Sequence, residues 1–225
     1  MSKKVLIISS SPRRGGNSDT LCDEFLKGAK ERGHNVEKIF LKDKKINYCE
    51  DCGTCYKNNK PCVQKDDMKD ILDKMLEADV IVMATPVYFY TMNSQMKTFI
   101  DRCVTKYLEI KNKDFYFIAA AATEDEKEML RTIDGFRGFL DCLEDAREKG
   151  FILAHSVWNK GEINNKKFMQ DAYNMGLNIW LFKFYKIINN FNIIKKLVYL
   201  KKGMPIYFFN IFLKFINFYI QFSIH

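Results

Sequence analysis

The chain has 225 residues, 47% of them hydrophobic, which is enough for one domain with a substantial core. Its seven cysteines are an odd count in a chain too long for a small disulfide scaffold, and Lys3-Lys4 runs straight into an apolar strand with no signal peptide before it, so a thiol-reducing, cytoplasmic setting is expected. The net charge of +8 belongs to the end of the chain: residues 1–180 carry 29 basic and 28 acidic side chains, whereas 181–225 carry seven lysines and no Asp, Glu or Arg, so the body lacks the electrostatic footprint of a nucleic-acid binder.

The run Val5 to Ile8 reads as a buried strand that ends in the polar loop SSSPRRGGNS. A helix follows, with Leu21, Cys22, Phe25, Leu26 and Ala29 on one stripe and Gly33 as its stop. Val36 to Leu41 is a second strand. Beyond a cysteine-bearing loop, Asp66 or Asp67 caps a helix whose stripe is Met68, Ile71, Leu72, Met75 and Leu76. Asp79 to Ala84 is a third strand, 92–108 a helix, and Phe115 to Ala121 a fourth strand. Residues 124–146 read mostly as helix, Phe151 to Val157 as a fifth strand and Phe168 to Trp180 as a last helix. Strands apolar on both faces that alternate with helices predict a parallel sheet in a three-layer α/β/α sandwich. Five strands in this order suit the doubly wound, flavodoxin-like arrangement, whose ligands bind beyond the carboxyl ends of the strands at the switch point. The domain is expected to span 1–180, with 181–225 as a separate tail.

Three loops carry chemistry. In the first, Ser11, Arg13, Asn17, Ser18 and Thr20 supply side-chain donors at a helix N-terminus, and Gly15-Gly16 lets backbone N–H groups approach an anion. The loop matches neither G-x-G-x-x-G nor G-x-x-x-x-G-K-[ST], which weakens dinucleotide and nucleoside-triphosphate readings; an ordinary polar strand-to-helix turn is the alternative. In the second, Thr85-Pro86-Val87 leads into three consecutive aromatics, Tyr88, Phe89 and Tyr90, at a strand's carboxyl end. Consecutive exposed aromatics cover something flat and apolar, such as an isoalloxazine ring, or else pack under a helix or in a subunit interface.

The third loop holds Cys49, Cys52, Cys55 and Cys62, spaced C-x2-C-x2-C-x6-C. Four thiolates so close in sequence can converge on one metal. The tight repeats favour a [4Fe–4S] cluster over zinc, whose paired knuckles usually stand a dozen or more residues apart; free thiols are the third reading. Cys22, Cys103 and Cys142 fall among apolar neighbours and are expected to be small core residues. His34 and His155 read as structural.

The two non-cysteine loops together resemble the NADPH-dependent FMN reductase family. Its phosphate loop, G-S-P-R-x-x-G-N-T, is matched by Ser10-Ser11-Pro12-Arg13 through Asn17-Ser18. Its flavin loop, S-P-V-Y-F-G, is matched by Thr85-Pro86-Val87-Tyr88-Phe89-Tyr90, and the segment QMKTFIDR resembles the helix that follows. With the cysteine run added, the chain is most similar to the iron–sulfur flavoprotein branch. Ser10 stands where the family has Gly, and Tyr90 where it has a small residue, which narrows the space over the ring.

The resemblance implies that Ser11, Arg13, Asn17 and Ser18 hold the FMN phosphate, that Pro86 through Tyr90 contact the flavin ring, and that Ala121-Ala122-Thr123 lies near the pyrimidine edge. It implies an FMN-dependent oxidoreductase using NADH or NADPH, acting as a homodimer, with a ferredoxin-like protein as electron partner and the cluster as one-electron relay. No side-chain acid or base is nominated, because the flavin carries the chemistry. Two other classes fit the same loops: a flavin electron carrier without turnover of its own, and a redox sensor that docks a partner through the cysteine loop.

Residues 181–225 hold thirteen Phe or Tyr, nine Ile and seven Lys. Lys214 falls near the middle of the most apolar stretch, which disfavours a membrane span and favours peripheral contact with an anionic surface. The alternative is an A/T-rich read-through with no selected function.

Overall fold

The computed structural model describes residues 2–58 and 60–179. The expected membrane-contacting tail therefore lies outside the described residues. Among those described, no helix is long and apolar enough to cross a membrane.

Six strands and six α-helices follow one another along the described chain: β1 (Lys4–Ser9), α1 (Asn17–Glu31), β2 (Asn35–Phe40), α2 (Thr54–Asn58), α3 (Met68–Glu77), β3 (Val80–Tyr88), β4 (Thr91–Met92), α4 (Ser94–Arg102), β5 (Asp114–Ala120), α5 (Leu130–Leu140), β6 (Arg147–Ala154) and α6 (Phe168–Leu177). Five strands form a parallel sheet in the order β2-β1-β3-β5-β6, and β4 pairs antiparallel with β3. This is the doubly wound order expected from the alternation. The chain runs outward from β1 in both directions, so the switch point lies between the carboxyl ends of β1 and β3.

The layers follow from strand periodicity. In β5, Phe115 and Phe117 face the cluster formed with α3, α4 and α5, while Tyr116 and Ile118 face the cluster formed with α1 and α6. Phe117 stacks on Phe136 of α5, ring centroids 4.8 Å apart, and Phe25 of α1 meets Tyr116 edge-on at 5.5 Å. Helices α1 and α6 cross so closely that a Cβ added to Gly28 would lie 2.1 Å from the Tyr173 carbonyl oxygen, and one added to Gly176 2.1 Å from that of Phe25. Only glycine permits that approach.

Several boundaries differ from expectation. The segment 92–108 divides into β4, α4 and a 3-10 turn at Cys103–Thr105, because Asn93 caps the helix by accepting from the Met96 N–H at 3.1 Å. The stretch 124–146 holds a 3-10 turn at Glu126–Met129 and then α5, which stops at Leu140. Cys142 lies past that stop and is exposed, so it is not the core residue expected; Cys22 and Cys103 are buried as expected. Burial pushes the Cys22 thiol up to about 12.

Candidate functional site

The first loop is a compact turn tied to the sheet. Ser9 Oγ donates to Asp19 Oδ1 at 2.8 Å, and Gly15 N–H to Asp19 Oδ2 at 2.9 Å, so the buried Asp19 carboxylate braces the loop from beneath. Lys38 lies 2.7 Å from the same carboxylate. Ser11 Oγ donates to the Arg13 carbonyl at 2.8 Å, and Gly16 N–H donates to that carbonyl at 2.9 Å. The structure thus spends the Ser11 hydroxyl on shaping the turn rather than leaving it free.

Helix α1, 15 residues long, begins after Gly16 with no side-chain cap, which leaves its first N–H groups open to an anion. A Cβ at Gly16 would come 2.7 Å from Ser11 Oγ, and Gly15 has φ +63°, so both glycines are required by the turn. Ser18 is buried at the helix start, Thr20 is half-buried with its N–H given to the Gly16 carbonyl, and Arg13 is exposed at the rim. Asn17, 6% exposed, donates through Nδ2 to the Asn159 carbonyl at 3.0 Å, while its Oδ1 has no partner. A buried acceptor without a donor beside uncapped helical amides fits a phosphate ester carrying hydroxyl groups.

The second loop is a β-hairpin. Tyr88 pairs with Thr91, and Val87 with Met92, leaving Phe89 and Tyr90 as a two-residue turn at φ +49° and +66°. Positive φ at both central positions matches a type I′ turn, which normally takes Asn-Gly. Here bulky aromatics occupy it, and Phe89 is 99% exposed. The Arg131 guanidinium lies 5.5 Å over the Tyr90 ring, and Thr132 Oγ1 donates to the Tyr90 carbonyl at 3.4 Å. Tyr88 and Tyr90 are also exposed, and Pro86 and Val87 are half-buried below them. Among the described residues, therefore, the aromatics are not covered by a helix.

The two loops are joined. Ser10 donates to the Ala84 carbonyl through both N–H and Oγ, each at 2.9 Å, so the serine at the family's glycine position is used by the fold. Asn93 Nδ2 donates to the Ser10 carbonyl at 2.6 Å, and Asn93 N–H to Thr85 Oγ1 at 3.1 Å. Of the weaker third segment, Ala121 is buried, and Thr123 donates its hydroxyl to Glu128 and accepts the Ser156 N–H through its carbonyl at 2.7 Å. A cavity of about 580 Å³ opens beside the anion loop, between its Arg14, Gly15 and Asp19 and the residues of β2 and α3, among them Lys38, Asp70 and Lys74. Its largely charged wall is poorly suited to a flavin ring.

The cysteine loop follows β2 and precedes α3. Cys49 and Cys52 are exposed, Cys55 and Cys62 half-buried, and none of the four forms a disulfide among the described residues. Hydrogen bonds from Thr54, first its backbone and then its hydroxyl, pull the Cys52 thiol below its ordinary range. Four thiols at this spacing fit a thiolate-bound metal in kind. In placement they are open: among the described residues no three Cys, His, Asp or Glu side chains gather around one ion position. At the loop's base, Arg102 pairs with Asp66, Nη1 to Oδ2 2.6 Å, in a contact buried on both sides. Burial alone would raise the Asp66 carboxyl, but hydrogen bonds from Arg102 and from the Asn47 and Met68 N–H groups outweigh it and hold it below the usual range.

Asn93, Asp19 and Arg102 are organising residues that sequence reasoning missed, and Asp66, read as a helix cap, turns out also to anchor Arg102. Asn93 carried a signal, an Asn directly before an apolar helical stripe. A buried arginine carries none.

The family model described as NADPH-dependent FMN reductase matches residues 3–138. An iron-sulfur flavoprotein of Archaeoglobus fulgidus is 44% identical over 99 residues, covering 44% of this chain and 44% of that one. An iron-sulfur flavoprotein of Methanosarcina thermophila is 38% identical over 113 residues, 49% of this chain and 59% of that one. The match thus spans about half the length of the curated relatives. Among solved structures, an NAD(P)H:quinone oxidoreductase from Methanothermobacter marburgensis superposes with TM-score 0.62 at 14% identity, over 80% of this chain and 97% of that one, which shows the shared fold. With 136 residues under one family model, and both of that family's loops standing at the switch point, the chain belongs to the NADPH-dependent FMN reductase family.

Proposed function

We propose that this chain is an FMN-dependent oxidoreductase that takes reducing equivalents from NADH or NADPH and delivers them singly through a [4Fe–4S] cluster on Cys49, Cys52, Cys55 and Cys62. The observation that carries the reading is the direct hydrogen-bonded union of the anion loop and the aromatic hairpin, through Ser10 and Asn93, at the switch point of a family-member sheet.

Bound FMN supplies hydride acceptance at its N5 and release of electrons one at a time. The protein binds and orients. The open N–H groups of α1, with Arg13 and Ser18 beside them, take the phosphate, and Asn17 Oδ1 accepts from a hydroxyl of the same ligand. Ser11 acts by holding the turn, and Thr20 stands at the helix start beside the phosphate. Pro86, Val87, Tyr88, Phe89 and Tyr90 form the apolar contact for the ring, and Tyr90 limits what stacks on its outer face. The name iron-sulfur flavoprotein carried by two relatives supports the cluster assignment. A homodimer buries the exposed aromatic tip, and a ferredoxin-like protein is the partner suited to single-electron exchange.

The test is anaerobic purification followed by iron, sulfide and FMN analysis, then turnover with each nicotinamide. Repeated NADH or NADPH oxidation, with iron and acid-labile sulfide present, supports the whole reading. Turnover with FMN but neither iron nor sulfide removes the cluster. Flavin without turnover identifies an electron carrier instead. Cys52→Ala is expected to lose the cluster while FMN and hydride uptake persist, because the flavin loops lie outside the cysteine segment.

A further inference from the structure

One side chain holds both feet of the cysteine loop. Arg102, the last residue of α4, has a side chain 3% exposed. Its Nη1 donates to the Asn47 carbonyl at 2.8 Å, Gln64 Oε1 at 2.9 Å and Asp66 Oδ2 at 2.6 Å. Its Nη2 donates to Asp66 Oδ1 at 3.1 Å and to Cys62 Sγ at 3.6 Å. Asn47 lies just before the first cysteine, and Gln64 and Asp66 just after the last. Asp66 closes the same ring from the other side, accepting the Asn47 N–H at 3.1 Å.

The cysteines are thereby divided. Cys62 sits at a fixed foot, against a buried cation. Cys49 and Cys52 lie exposed on the arc, and Cys52 donates to its neighbour Thr54, Sγ to Oγ1 3.6 Å. A lysine could not replace this arginine, because a compact ammonium cannot present a planar fork to a carboxylate, a carbonyl and a sulfur at once.

We propose that Arg102 is a positioning residue for the cysteine loop: it pins both feet of the loop to α4 and holds the Cys62 sulfur in place as the first ligand, onto which Cys49, Cys52 and Cys55 close when a metal binds. The inference rests on the reading of these four residues as metal ligands. It makes metal uptake an ordering of the arc onto a prepared anchor, rather than a convergence of four loose thiols.

Two measurements test it. Cobalt(II), titrated into the reduced, metal-free full chain without oxygen, reports thiolate coordination by charge-transfer absorption. Brief alkylation, read by peptide mass spectrometry, reports each sulfur with no metal at all. In the wild-type chain, Cys62 is expected to alkylate more slowly than Cys52. Arg102→Lys is expected to erase that difference and to weaken cobalt binding by about ten- to a hundredfold. FMN affinity within about twofold of wild type marks a folded variant. Gln64→Ala, which removes one contact and leaves the ion pair, covers the case in which Arg102→Lys does not fold; it is expected to weaken cobalt by a smaller factor in the same direction. Unchanged cobalt affinity and unchanged Cys62 protection in the folded variants would overturn the proposal. Absence of thiolate–cobalt absorption in the wild-type chain would overturn the ligand reading, and with it the closing step, while the alkylation arm alone still decides whether Arg102 holds Cys62.

Discussion

The amide nitrogen of Asn93 lies 2.6 Å from the carbonyl oxygen of Ser10, a buried bond between groups 83 positions apart. The same side chain caps α4 through its oxygen, so it works at both of its polar ends. Asn93→Ala removes a helix cap and strands a buried carbonyl, and should cost about 2–3 kcal/mol. Asn93→Asp keeps the cap acceptor but loses the donor and buries a charge, so it should cost at least as much. Denaturant titration of both variants checks the order; a harmless Asn93→Asp would show that the Ser10 bond contributes little.

Two adjacent arginines should behave differently toward FMN. Arg13 is exposed at the anion loop, whereas Arg14 pairs with Asp43 and lies 4.7 Å over the Phe40 ring. Charge-assisted bonds to phosphate are worth roughly 1.5–3 kcal/mol, so Arg13→Ala should weaken FMN by about tenfold or more. Arg14→Ala should leave FMN binding within about twofold. Fluorescence titration separates them, and equal effects would remove Arg13 from the site.

The hairpin tip holds two bulky residues in left-handed backbone. That conformation costs about 1–2 kcal/mol for an L side chain, against up to about 1 kcal/mol of entropy lost by glycine. Tyr90→Gly should therefore raise stability by roughly 0.5–1 kcal/mol, even with the Arg131 contact gone. Substrate range should widen at the same time, read as the KM for a bulky quinone acceptor relative to a small one. A melting temperature that falls, with no change in that ratio, would count against a strained, function-serving tip.

Asp114 answers for the acid limb of stability. Its carboxylate lies 3.0 Å from Lys3, 2.7 Å from Arg147 and 3.3 Å from Lys149. Burial pushes its pKa up, but hydrogen bonds from Arg147 and Lys3 outweigh this and hold it below the ordinary value. A depressed folded pKa stabilises at pH above the unfolded value, near 4, and that contribution is lost as pH falls through the folded value. Unfolding free energy should thus decline below about pH 4, and Asp114→Asn should decline less steeply over that interval. Parallel curves for the two chains would place the acid sensitivity elsewhere.

The sheet was readable because β1, β3 and β5 are apolar on both faces and bounded by polar loops. The site was half readable. That Asn17 and Ser18 stand at a helix start was legible from the loop, whereas the bond from the Ser11 hydroxyl to the Arg13 carbonyl is invisible in composition. Helix α4 was expected to be longer, since Met92 continues its apolar pattern; pairing with Val87 claims that residue for β4. Cys142 lay on an apparent apolar stripe, and the stripe ended before reaching it because α5 stops at Leu140. Arg102 shows the deeper limit. Its charge marks it as a surface residue until the fold brings Asp66 beneath it.

The crossing at Gly28 and Gly176 has a bearing on an anion it never touches. Eleven residue steps along α1, about 16 Å of helix, separate Gly28 from Asn17. With the Tyr173 carbonyl seated in the notch at one glycine and the Phe25 carbonyl in the other, α1 cannot slide along its own axis without a collision. The depth at which its leading amides stand behind the turn is therefore gauged from the opposite end of the rod, as a stop collar sets the reach of a drill.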